Sequence, residues 1–238
     1  MSVILHSAIP TQILLTDSEK SDIADYINIY RNAHQSPNLV WDDSIYEFSQ
    51  DYSNYLLDNR VFQYSGKQMY GENLIYLQGF NLSTIDLLKM SIDIWYNENL
   101  TYDFDSNKFD EQTGHFTCLI WKSSTTFAMG ISIDKYTNTA VVSMNTFIAG
   151  NTDSKEEFSN NVLPKLANVN VKNINLPIVH LSNKPNKPND KNDKNKSIII
   201  SSIKMLTESM NNLKLRNPNR LSIINNMQNI IDNLNKLN

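Results

Sequence analysis

The sequence predicts an α+β domain: a small antiparallel sheet covered by helices in an α-β-α sandwich, followed by a C-terminal helical hairpin. Three observations lead there. Segments with apolar residues three and four apart alternate with short runs rich in β-branched and aromatic residues. Two of those runs are joined by the turn 134–138, which makes them an antiparallel hairpin needing helices over its faces. A stretch without apolar residues, NKPNKPNDKNDKNK at 183–196, separates the last part of the chain from the rest.

In order, residues 1–20 read as an N-terminal extension, apolar but short. Thr16-Asp17-Ser18-Glu19 offers caps for a helix running to about His34, with Ile23, Tyr26, Ile27 and Tyr30 on its apolar stripe. Residues 36–38 form a loop. Asp42 or Asp43 caps a second helix, whose inner stripe is Ile45, Phe48, Tyr52, Tyr55 and Leu56. Residues 59–69 are irregular and 74–77 extended. Ser83 caps a third helix carrying Ile85, Leu88, Ile92 and Trp95. A polar and aromatic loop spans 97–113, and strands are expected at about 115–121, 126–133 and 139–147. In the first of these, alternation places Phe116, Cys118 and Ile120 on one face, and His115, Thr117, Leu119 and Trp121 on the other. Cys118 is therefore expected to point away from His115. The main domain covers 21–182, and 183–196 is a disordered linker. Over 197–238, Ile199, Ile203, Leu206, Met210 and Leu213, then Ile223, Met227, Ile230, Leu234 and Leu237, mark two amphipathic helices joined at Pro218.

Charge divides the chain in the same place. Residues 1–182 carry 11 Lys and Arg against 21 Asp and Glu, whereas 183–238 carry 10 against 4. An acidic body with a basic tail argues against nucleic acid as a partner. Cys118 is the only cysteine, so no intramolecular disulfide forms, and a lone thiol in a core segment suits a reducing compartment. No signal peptide is read at the N-terminus, and no stretch approaches the ~20 apolar residues of a membrane span. An intracellular protein, cytoplasmic or peripheral to a membrane, is the expectation.

Motifs in a fixed order carry a family resemblance: Tyr30-Arg31-Asn32-Ala33-His34, Trp41-Asp42, GENL at 71–74, WYNE at 95–98, GHFTCLIW at 114–121, AGN at 149–151 and NVLPK at 161–165. This series resembles the CAP superfamily of cysteine-rich secretory proteins, antigen 5 and plant pathogenesis-related proteins, over about 21–165. The closing motif and the lack of cysteines look most like its Golgi-associated, intracellular branch. The resemblance implies an α-β-α sandwich with a cleft lined by two His and two Glu. Glu72, Glu98 and His115 match three of the four. Tyr64, in Tyr64-Ser65-Gly66, stands where the first His is usual. His34 lies on the first helix, outside that motif.

With one imidazole and two carboxylates, no cofactor is required. His115 is the one imidazole offered to zinc, and the carboxylates could hold Mg²⁺ or Ca²⁺ weakly. The bland alternative is a buried polar network that orders the loops, with Glu72 bonding backbone amides. The stronger lead is the loop: Tyr102, Phe104 and Phe109 stand in an acidic, exposed segment, and exposed aromatics mark interaction sites. In family members this loop is linked to sterol binding. The expected function is thus a non-enzymatic binding protein for a sterol, an anionic lipid or a membrane surface. The alternatives are an assembly module forming homo-oligomers through 197–238, and a divalent-metal-dependent hydrolase using Glu72, Glu98 and His115.

Overall fold

The computed structural model describes residues 13–80, 82–152 and 154–171. The linker expected at 183–196 and the helical hairpin expected at 197–238 lie outside the described residues.

Helix α1 (Asp17–Ala33) starts where its caps predict. The Thr16 side chain accepts from the Glu19 amide, and Glu19 reaches back to the Thr16 amide. Strand β1 (Val40–Trp41) and helix α2 (Asp43–Asn59) follow, with the Asp42 carboxylate accepting from the amides of Ser44 and Ile45. Strand β2 (Gly71–Gln78) leads to helix α3 (Thr84–Asn97), capped by Ser83, and to the single 3-10 turn Glu98–Leu100. Helix α4 (Gly114–Ile120), strands β3 (Thr126–Asp134) and β4 (Thr139–Phe147), and helix α5 (Lys155–Asn161) complete the described chain.

The sheet order is β1-β3-β4-β2. The β3–β4 hairpin and the β2–β4 pair are antiparallel as expected, but β1 runs parallel to β3, so the sheet is mixed. Two residues are too few for a strand signal in sequence, and the Asn28 amide group fixes the approach to β1 by bonding both N–H and C=O of Leu39. α2 covers one face of the sheet, and α1, α3 and α4 form the layer on the other.

The two faces differ. Toward α1, α3 and α4 the core is apolar, with Phe127, Met129, Ile131, Val142, Met144 and Ile75 buried. Toward α2 its middle is small and polar, with an apolar cluster of Leu56, Leu74 and Val141 near the C-terminal end of that helix. Gly130 lies so close under α2 that a Cβ would meet the Gln50 backbone at 2.3 Å. The buried face of α2 is Ile45, Tyr46, Ser49, Gln50, Ser53 and Leu56. This corrects the expected inner stripe. Phe48 and Tyr52 are half-buried and Tyr55 is exposed, stacked in sequence along the flank of the helix at centroid spacings of 6.0 and 5.9 Å. At this crossing the close approach leaves room for Ser49, Ser53 and the amide of Gln50, while Ile45, Tyr46 and Leu56 are buried on either side of it. Gln50 donates to the Ile131 carbonyl at 2.8 Å and accepts from its amide at 3.1 Å.

The largest correction concerns 115–121, which is the helix α4 and not a strand. Its composition favours a strand locally, and seven residues are marginal for an isolated helix. Charges from elsewhere decide the outcome. At the N-terminal end, Glu98 accepts from the amides of His115 and Phe116, both at 3.0 Å. At the other end Arg31, fully buried, donates to the carbonyls of Leu119 at 2.9 Å and Trp121 at 3.0 Å. Ser36 donates to the Ile120 carbonyl. An anion at the start and a cation at the finish satisfy the orphan groups and oppose the helix dipole. Removal from water pulls the Arg31 guanidinium down to about 10. Nε and Nη2 reach the Pro37 and Ser124 carbonyls, so four of the five guanidinium N–H groups are hydrogen-bonded.

Candidate functional site

The N-terminal end of α4 organises the site. Glu98 enters from the 3-10 turn that follows α3. Besides the two amides, it holds His115 Nδ1 at 2.7 Å through Oε1. A carboxylate taking three donors acts as acceptor only, so His115 Nδ1 donates its proton to Glu98 and Nε2 points toward Tyr64. Tyr64 Oη lies 3.4 Å from that nitrogen. The ring of His115 stacks on Trp95.

Glu72 belongs to a different half. Strand alternation sends Gly71 and Asn73 toward α4 and Glu72 toward α2. Asn73 accordingly donates to the His115 carbonyl at 2.9 Å, while Asn145, opposite Glu72 in register, accepts from Ser49 of α2. Glu72 Oε2 accepts from the Ser65 amide at 2.8 Å and from its hydroxyl at 3.0 Å. The amide it bonds is thus Ser65, across the loop. Glu72 Oε1 is buried with no hydrogen-bond partner among the described residues. Burial raises the Glu72 carboxyl above the usual range, against the Ser65 bonds, and Asn145 is near enough to favour the ionised form slightly without a bond of good geometry. Tyr64 and Ser65, adjacent in one loop, therefore clasp both halves: one faces His115, the other Glu72.

Gly71 is required by this packing. A Cβ there would fall 2.5 Å from Thr146 Oγ1 and 3.0 Å from Cys118 Sγ. Cys118 is buried, and desolvation pushes its thiol up to about 12, so it is an inert core group. In the helix it lies three residues from His115. The strand-based placement on an opposite face does not apply, although its side chain does turn to Thr146.

The four cleft positions do not come together as a metal centre. Among the described residues no three His, Cys, Asp or Glu side chains converge as ligands. His115 Nε2 is the one imidazole nitrogen turned to the cleft; it faces a phenol, and Glu98 spends its oxygens on Nδ1 and two amides. This set does not fit zinc. The amides at the start of α4 are already bonded to Glu98, so they are not offered to a developing oxyanion.

The loop 97–113 differs from its expected form. Tyr102 is buried and Phe104 half-buried; only Phe109, at 43%, is clearly exposed. Tyr102 and Phe104 meet edge to face at 4.9 Å and both pack on Phe116 of α4. Aromatic burial outweighs the acidic context of the loop. The Phe109 ring lies over Gly114, 2.9 Å from where a Cβ would stand. Asn151, from the AGN motif, closes this end by donating to the Gly114 carbonyl and accepting from Thr117.

Two residues missed as organisers are Arg31 and His34, both in the first motif. His34 donates through Nδ1 to the Leu163 carbonyl at 2.7 Å and accepts at Nε2 from Tyr96 at 3.1 Å. Burial lowers its basicity, and nearby Lys165 acts the same way against the Leu163 bond. The spacing Arg31-x-x-His34 on a helix end was the available signal. Next to them, Tyr26 and Tyr30 donate to the buried Asp93 of α3 and tie α1 to α3.

A glutamate that caps one helix and also orients a histidine thus sits inside a three-layer α-β-α domain. The chain belongs to the CAP family: the family model described as "Cysteine-rich secretory protein family" matches residues 24–147, just over half of the chain. It is 31% identical over 140 residues to the human Golgi-associated plant pathogenesis-related protein 1, covering 58% of this chain and 87% of that protein. It is 37% identical over 102 residues to the Repressed by EFG1 protein 1 of Candida albicans, covering 41% of this chain; the match spans 34% of that relative's length. Among solved structures, BmVAL-1 superposes with a TM-score of 0.49 at 19% identity, over 59% of this chain and 81% of that one.

Proposed function

We propose that this chain is a non-enzymatic binding protein that takes a flat amphiphilic lipid of the sterol type at the start of α4. One observation carries the reading. Two aromatic rings, Tyr64 at 39% exposure and Phe109 at 43%, flank that helix end, one against His115 and the other over Gly114. Rings lose few rotamers on binding and cover a rigid apolar face efficiently, while the phenol–imidazole pair supplies a polar contact for a hydroxyl. Tyr64 in place of a histidine supports this use, since it replaces a ligating nitrogen by apolar surface. An intracellular membrane is the proposed setting. It fits a lone buried thiol and the printed name of the Golgi-associated relative. No helix among the described residues is long and apolar enough to cross a membrane.

The test is co-sedimentation of the full chain with vesicles with and without sterol. Phe109→Ser is expected to weaken binding about five- to thirtyfold, as loss of one ring contact of about 1–2 kcal/mol requires. Unchanged binding by this variant, or no preference for sterol vesicles, overturns the reading.

A further inference from the structure

The aromatic loop is closed over one buried histidine. His34, 1% exposed, lies at the end of α1 beneath Phe104, whose ring is stacked on it at 6.1 Å and 12°. Phe116 of α4 and Tyr96 of α3 meet it edge-on at 5.3 and 5.7 Å. The loop's own hydrogen bonds are local: the amides of Asp105 and Ser106 bond to Asp103, and those of Gln112 and Thr113 bond to Asp110. Aromatic packing therefore does most of the work of holding 102–104 down, and His34 is part of its floor.

The hydrogen bonds around His34 suit a neutral ring, with a proton on Nδ1 and a lone pair on Nε2. Among the described residues, the groups that contact it include no carboxylate to take a second proton. α3 presents the Tyr96 phenol, the segment after α5 presents the Leu163 carbonyl and Lys165, and α4 and the loop present Phe116 and Phe104. Arg31, one turn back on α1, is a further cation bonded to carbonyls. A protonated His34 would be a buried cation among cations, and the cheapest relief is contact with water. Phe104 is its thinnest cover, already half-exposed.

We propose that His34 is an acid-sensitive latch on the aromatic loop: its protonation lifts Phe104 and Tyr102 off the body, adding them to Phe109 as lipid-facing surface. The lipid part rests on the proposed function; the opening does not. Loop opening would then be favoured at an acidic membrane surface, and the closed form would shield two of the three rings elsewhere.

Hydrogen exchange of the full chain, corrected for intrinsic rates, tests this between pH 7.5 and pH 5. Protection over 101–113 is expected to fall by about tenfold or more while β4 stays protected, a sub-global opening. His34→Gln, neutral at both pH values, should remove the pH dependence. Should that variant misfold, Lys165→Met at the exposed neighbour should move the midpoint of opening to higher pH. Loop protection that is unchanged at pH 5, or lost only together with β4, overturns the latch. Vesicle binding reports separately: opening without a gain in sterol-vesicle binding leaves the latch standing and removes the lipid reading.

Discussion

Glu98 and Glu72 are matched by the resemblance to one cleft, yet they are used in opposite ways. Glu98 has both oxygens engaged by two amides and an imidazole, and it closes the start of a helix. Glu72 has one oxygen engaged by Ser65 and the other buried, with no hydrogen bond of good geometry among the described residues and Asn145 nearby, across the sheet from the Glu98 side. The comparison teaches that a carboxylate's role follows from its count of donors. A fully served carboxylate holds structure; a half-served one leaves an acceptor for a ligand hydroxyl or ammonium group, at some expense to the folded state.

Four substitutions would break or sharpen this contrast. Glu98→Ala should have the largest effect, about 3 kcal/mol or more of stability in chemical denaturation, because it strands two amides and the His115 ring. Glu98→Gln should recover at least half, since its carbonyl oxygen still caps α4. A loss under 1 kcal/mol for the alanine variant would show that α4 does not depend on this cap. Arg31→Lys should cost about 2–3 kcal/mol, because one ammonium cannot reach the four carbonyls that the guanidinium fork serves. A near-neutral result would make the anionic end of α4 sufficient.

Glu72→Gln should behave differently. The folded-state carboxyl is raised, so its contribution to stability is fully present below the unfolded value near pH 4 and declines as pH rises through the folded value. At pH 7 the glutamine variant should be as stable as the parent or more so, and that advantage should vanish in denaturation at pH 4. A clear loss at pH 7 would place Glu72 with Glu98 as a structural group. Tyr64→Phe should be the mildest. It removes a long contact on a partly exposed ring, worth under about 0.5 kcal/mol, and keeps the aromatic wall. Sterol-vesicle binding should stay within about threefold; a larger drop would make the phenol the main contact.

What could be read from the sequence was local. The caps Thr16, Asp42 and Ser83, and the hairpin around 134–138, are satisfied within a few residues of themselves, so composition and spacing suffice. What could not be read depends on partners far along the chain. The helix at 114–120 is decided by Glu98 and by Arg31, the latter 88 residues before Leu119. The burial of Tyr102 and Phe104 is decided by Phe116 and His34. The apolar stripe of α2 is interrupted between Ile45 and Leu56 because Gly130 in β3 brings the helix to within small-residue distance at Ser49 and Gln50. Of the four cleft positions, Glu98, His115 and Tyr64 come together as the motif order implies. Glu72 joins them only through the loop, because β2 turns its side chain to the other face.

One amide has a consequence beyond the cleft. Past Trp41 the outer margin of β3 has no neighbouring strand among the described residues, and an open margin of this kind is a template for a second molecule. Gln50 fills it by offering Ile131 the same donor and acceptor that another backbone would. A side chain imitating a peptide group thus occupies the outward donor and acceptor of Ile131 that a foreign strand would otherwise pair with.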